Sequence, residues 1–112
     1  VPFGAGSGSD IAARFYARAL KEKLNATAVV DLKPGAAGMI AGQLVARAAP
    51  DGYTVLMALS SLVVLPEADK ILNRPQMFRV DQLKPIARFT DDPSSVTVRV
   101  VVLPATSVAV KV

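Results

Sequence analysis

The chain contains no cysteine, no histidine and no tryptophan. Without cysteine there is no disulfide framework, no thiolate nucleophile and no thiolate metal ligand. Without histidine the commonest general base and the commonest transition-metal ligand are also missing. Neither a metal nor a cofactor is therefore expected. The sequence also lacks an apolar run of the roughly 20 residues that a membrane-spanning helix needs. Its longest candidate, Tyr53 to Pro66, is broken by Ser60 and Ser61, and the valine-rich run from Val96 to Val110 carries Arg99 and Pro104. Direct membrane insertion is not expected. The net charge of +4 is modest and dispersed, which argues against nucleic acid as a partner and mildly favours a small anion. There is neither an initiator Met nor a signal peptide, and the chain opens inside an apparent strand, so further sequence is expected upstream.

What is present is small and apolar. The 112 residues are 52% hydrophobic with a mean hydropathy of +0.40. That is enough for one small domain with its own core, and the apolar balance suits a piece of something larger. The opening Val1-Pro-Phe-Gly-Ala-Gly-Ser-Gly-Ser-Asp10 alternates glycine with small residues before an amphipathic run begins at Ile11. It reads as a strand end, a tight loop and a helix start. Glycine permits positive φ and lets a ligand approach the peptide groups. A helix N-terminus behind such a loop offers unpaired N–H groups and a positive partial charge, which together make a generic anion site.

The spacing of Ile11, Phe15, Ala19, Leu20 and Leu24 predicts a helix over 10–24 with that stripe facing inward. Ser7 or Ser9 is the expected cap and Asn25 the expected stop. Thr27 to Asp31 is a short β-type run. A second glycine loop, Lys33-Pro-Gly-Ala-Ala-Gly38, leads into a helix over 39–48 with Ile40, Leu44, Val45 and Ala48 on one face. Pro50-Asp51-Gly52 signals a turn. Tyr53 to Ala58 reads as a strand covered on both faces, and Ser60-Ser61 follows it. This is βαβαβ, for which a parallel sheet with right-handed crossovers is the economical topology, with the three small-residue loops at the carboxyl edge of the strands. Beyond Leu62 the signals are weaker. They give a short helix over 66–72 with Pro66 at its first position, an irregular stretch over 73–80 and a single turn at 81–83. A strand over 86–90, a turn over 91–94 and a strand over 95–103 follow.

Nucleotide fingerprints fail in both glycine loops. A G-x-G-x-x-G pattern starting at Gly4 meets Ser9 where glycine is needed, and one starting at Gly6 meets Ile11; no Gly-Lys-Ser or Gly-Lys-Thr closes any loop. Ser7, Ser9, Ser60 and Ser61 have no histidine to activate them, and every lysine lies in a polar context. Asp51 is a turn former at the opposite strand end. Plain structural readings stand beside the functional ones. The loops could be bare connections, Phe3 could be core packing, and Ser60 and Ser61 could be helix caps.

Three blocks carry a family resemblance: the opening stretch, Lys33-Pro-Gly-Ala-Ala-Gly38, and Val45-Ala-Arg-Ala-Ala-Pro-Asp-Gly-Tyr-Thr54. With the later Leu83-Lys-Pro-Ile-Ala-Arg88, the chain resembles the substrate-binding receptors of tripartite tricarboxylate transporters, the Bug receptors, from Val1 to about Arg99. The resemblance implies an α/β fold, the parallel three-layer lobe of a type II periplasmic binding protein. Residues 1–112 would be part of the N-terminal lobe, the second lobe being absent. It implies a non-catalytic periplasmic receptor that captures a small di- or tricarboxylate and delivers it to the membrane subunits of the transporter, or in some members serves sensing. The ligand-binding positions it implies are Phe3, Gly4, Ala5, Gly6, Ser7, Gly8, Ser9 and Asp10 in the first loop. In the second loop they are Pro34, Gly35, Ala36, Ala37 and Gly38, and Ser60 and Ser61 complete the set. The second loop departs from the family's common Asn-Arg-Pro-Gly-Ala-Gly-Gly-Asn, with Ala37 in place of a glycine and Met39 in place of the last asparagine. Two readings from other classes are a small nucleotide-dependent enzyme domain and a ligand-free structural or oligomerisation domain.

Overall fold

A computed structural model describes residues 1–90 and 99–104. Helix α1 spans Gly8–Leu24 and starts two residues earlier than the periodicity predicts. Ser7 is its N-cap, with the hydroxyl accepting from the Asp10 amide at 3.2 Å. Asn25 ends it in the left-handed conformation at φ 52° and returns its N–H to the carbonyls of Leu20 and Lys21. A tight turn at Ala36–Gly38 leads into helix α2, Met39–Ala46. Strand β1 is Leu56–Ala58, helix α3 is Ser61–Ile71, strand β2 is Leu83–Thr90 and strand β3 is Arg99–Pro104. Turn Pro50-Asp51-Gly52 forms as expected, with Gly52 at φ 83° and the Tyr53 amide donating to Asp51 Oδ1. The expected turn over 91–94 and residues 95–98 of the last expected strand lie outside the described residues.

Helices alternate with extended segments, so the α/β class holds. The sheet differs from the expected parallel pairing. Its order is β1-β3-β2, and both hydrogen-bonded pairs are antiparallel. The connection from β2 to β3 is short, and a parallel return needs a crossover of roughly a dozen residues or more. Among the described residues parallel pairing survives at one place. The Val1 nitrogen donates to Asp31 O at 2.7 Å, and Lys33 N donates to Val1 O at 2.8 Å. Val1 thus bonds on either side of Leu32, which is one step of a parallel ladder. No further strand pairing is recorded over 27–31.

The core gathers Met39, Ala41 and Val45 of α2, Leu56 and Ala58 of β1, Leu62 of α3, and then Phe78 and Leu83. Two expected helix faces are corrected. On α1, Ile11 and Phe15 are about two-thirds exposed, at 64% and 65%, and Leu24 is exposed too; of the expected stripe Leu20 lines the body of the protein, together with Ala13, Tyr16 and Ala17. On α2, Ile40 and Leu44 are exposed while Met39, Ala41, Gly42 and Val45 are buried. The reason lies at Gly42, where an added Cβ would clash with the Phe78 ring and stand 2.9 Å from Leu62 Cδ1. Closeness of approach, which small residues permit, selects the face over the larger side chains. Strand β1 is covered throughout, but Tyr53 and Val55 of the expected longer strand are exposed. Helix α3 starts at Ser61, immediately after β1, and carries Pro66 in its interior rather than at its first position. Pro66 is fully buried, and its carbonyl accepts from Gln76 Nε2.

Candidate functional site

The first loop is shaped by bonds to its own helix. Ser7 N donates to Gly4 O at 3.2 Å, closing a turn with Gly6 at φ 79°. Asp10 is 3% exposed; its Oδ2 accepts from Gly6 N at 2.9 Å, and its Oδ1 accepts from Arg14 Nε at 2.8 Å. A buried carboxylate held by an amide and a guanidinium in this way is satisfied within its own segment. Ser9 is 4% exposed, and its hydroxyl has no hydrogen-bond partner among the described residues. Gly4, Ala5, Gly6 and Gly8 lie exposed at the surface, and Phe3 is half-buried.

The second loop is a run of four positive φ values: Gly35 at 125°, Ala36 at 46°, Ala37 at 52° and Gly38 at 97°. Two of these residues carry a Cβ, and an L-residue in the left-handed region is strained by about 1–2 kcal/mol. Gly38 N bonds Gly35 O at 3.0 Å, and the Met39 amide bonds Ala36 O. Pro34 to Ala37 are exposed, whereas Gly38 and Met39 are buried. Met39 belongs to the core, so this position adds nothing to the loop's polar surface.

Two contacts bring the loops together. An added Cβ at Gly38 would stand 3.1 Å from Pro2 Cβ, so the second loop lies against the residue that precedes Phe3. Ser61 Oγ donates to Ala37 O at 3.1 Å, which ties the start of α3 to the second loop. Ser60 holds the N-cap position of α3, its side chain makes no capping bond there, and its carbonyl accepts from Val63 N and Val64 N. The three small-residue loops therefore share one edge of the molecule, although the parallel sheet from which a common edge was expected is not the one formed. No cationic side chain lies among the predicted site residues. Lys33 is the nearest in sequence, next to Pro34, and its Nζ pairs with Asp31 Oδ2 at 3.3 Å; Arg14 Nε is bonded to Asp10.

A concavity lined by none of the predicted site residues is mostly apolar, and the sequence offered no sign of it. It is a groove of about 380 Å³ between α1, residues 28–31, α2 and the approach to β1. Tyr16, Leu20, Val29, Leu44 and Val55 are among its lining residues. Its signal would have been the helix faces, which periodicity assigned differently. Among the described residues no group of His, Cys, Asp and Glu could hold a metal ion, and no helix is long and apolar enough to cross a membrane.

Comparison with known proteins now has a geometry to meet. Residues 12–110 match the family described as tripartite tricarboxylate transporter family receptor, TctC. A UPF0065 protein of Bordetella pertussis is 40% identical over 100 residues, covering 88% of this chain and 30% of that protein. The protein BugT of the same organism is 43% identical over 61 residues, covering 54% of this chain and 19% of BugT. A solved structure, described as that of a periplasmic transporter, superposes with a TM-score of 0.66 at 30% identity, covering 79% of this chain and 29% of that one. The chain spans less than a third of the length of each of these proteins.

Proposed function

The chain belongs to the tripartite tricarboxylate transporter receptor family, and on that premise we propose that it supplies one wall of a periplasmic solute-binding site for a small di- or tricarboxylate. The ligand would be captured without chemistry and passed to the membrane subunits of a tripartite transporter. The observation that carries this reading is the convergence of the first loop, the second loop and the start of α3 on one edge. Helix α1 begins inside the first loop and α2 follows the second directly. Loop amides and helix N-termini suit carboxylate oxygens. The buried Ser9 hydroxyl adds a polar group without a partner among the described residues, the kind of group a bound water or ligand oxygen satisfies.

With one wall, water stays on the ligand and each hydrogen bond contributes less than in a closed site. Calorimetric titration of citrate and succinate against this chain should therefore give weak binding, and a full-length relative should bind one of them tightly. Tight, selective binding by this chain alone would contradict the half-site reading. A rise in melting temperature with ATP or NAD, and none with carboxylates, would replace it by a nucleotide-binding one.

A further inference from the structure

We infer that the side chains of Asp10 and Ser61 position this edge and do not touch the ligand, an inference that rests on the carboxylate reading above. The argument is one of polarity. A carboxylate ligand presents only acceptors, so whatever holds it must donate. Ionised Asp10 has no proton to give, and both its oxygens are engaged by Gly6 N and Arg14 Nε. Its negative charge would also repel a second carboxylate. Ser61 has one hydroxyl proton, and it is directed at Ala37 O. What remains on the Ser61 side chain is lone pairs, the wrong polarity for an anion.

Each residue instead holds one loop. Asp10 draws the Gly6 amide inward and so fixes the turn at φ 79°; the ligand must be met by other groups of the loop. Ser61 pins the carbonyl of Ala37, the residue at which the second loop carries a Cβ through the left-handed region at φ 52°. The bond spans 24 residues and joins two of the three site segments, so it sets their spacing as well as the loop's shape.

Amide hydrogen exchange and citrate-induced amide shifts of the ¹⁵N-labelled 112-residue chain separate the possibilities. Without ligand, Asp10→Ala should speed exchange at Gly6 by about tenfold or more, and Asp10→Asn, which keeps an acceptor oxygen, by less. Ser61→Ala should speed exchange at Gly38 several-fold, and Ser61→Thr, which keeps the donor, should restore it. With citrate, Ser61→Ala should weaken the shifts several-fold while Ser61→Thr keeps them. Unchanged exchange in Ser61→Ala together with lost citrate shifts would make Ser61 a direct contact and overturn the inference. So would a citrate affinity in Asp10→Asn raised more than about tenfold, because the charge would then face the ligand. Should citrate shift no amide of the parent chain, the carboxylate reading fails, while the exchange measurements still decide whether the two side chains anchor the loops.

Discussion

The glycine-loop edge and the apolar groove are built by different kinds of interaction. The edge is held mostly by bonds of short range along the chain: Asp10 N to Ser7, Gly6 to Asp10, Gly38 to Gly35. The groove and the core beneath it are made where segments distant in sequence meet, from α1 to residues 28–31 and from α2 to Phe78. Local bonds are dictated by residue types a few positions apart. Packing depends on which neighbour comes closest. The edge should therefore tolerate substitutions that leave its bonds intact, whereas the core should respond to the loss or gain of single carbons.

The sharpest challenge to this contrast is Leu56→Ala. Leu56 is 1% exposed at the start of β1, and its truncation should cost about 2–5 kcal/mol, read as a lower denaturation midpoint. An effect under about 1 kcal/mol would mean that the packed side is no more demanding than the loops. Next is Gly42→Ala, which raises helix propensity but sets a methyl within 3 Å of both Phe78 and Leu62. Overpacking should win, with a loss of about 1–3 kcal/mol. A stabilised variant would show that α2 is free to move away from Phe78, and the account of its buried face would fall with it.

These two sites also mark where sequence reasoning succeeded and where it could not. The cap at Ser7, the stop at Asn25 and the turn at Asp51-Gly52 were legible, because each depends on a handful of adjacent residues. The buried face of α2 was not. Hydrophobicity favours Ile40 and Leu44, but the side that packs carries Ala41 and Gly42, and only the position of Phe78 explains why. Sheet direction was not legible either, since β3 comes from a part of the chain where periodicity was weak. On α1 the stripe was read one step round, at Ile11 and Phe15 rather than at Ala13, Tyr16 and Ala17. At the site itself the sequence offered candidate residues but not their partners: that Asp10 is bonded to Gly6 and Arg14, and Ser61 to Ala37, depends on how the loops fold.

On the edge itself, Ala37→Gly is expected to stabilise. Ala37 sits at φ 52° with ψ 31°, in the region that costs an L-residue about 1–2 kcal/mol and glycine almost nothing. Glycine's greater freedom in the unfolded chain takes back roughly 0.4–1 kcal/mol. The net gain should be about 0.5–1 kcal/mol in chemical denaturation, an increase from deleting a carbon where the core shows only losses. A destabilised variant would mean that the Ala37 methyl makes contacts worth more than its backbone strain.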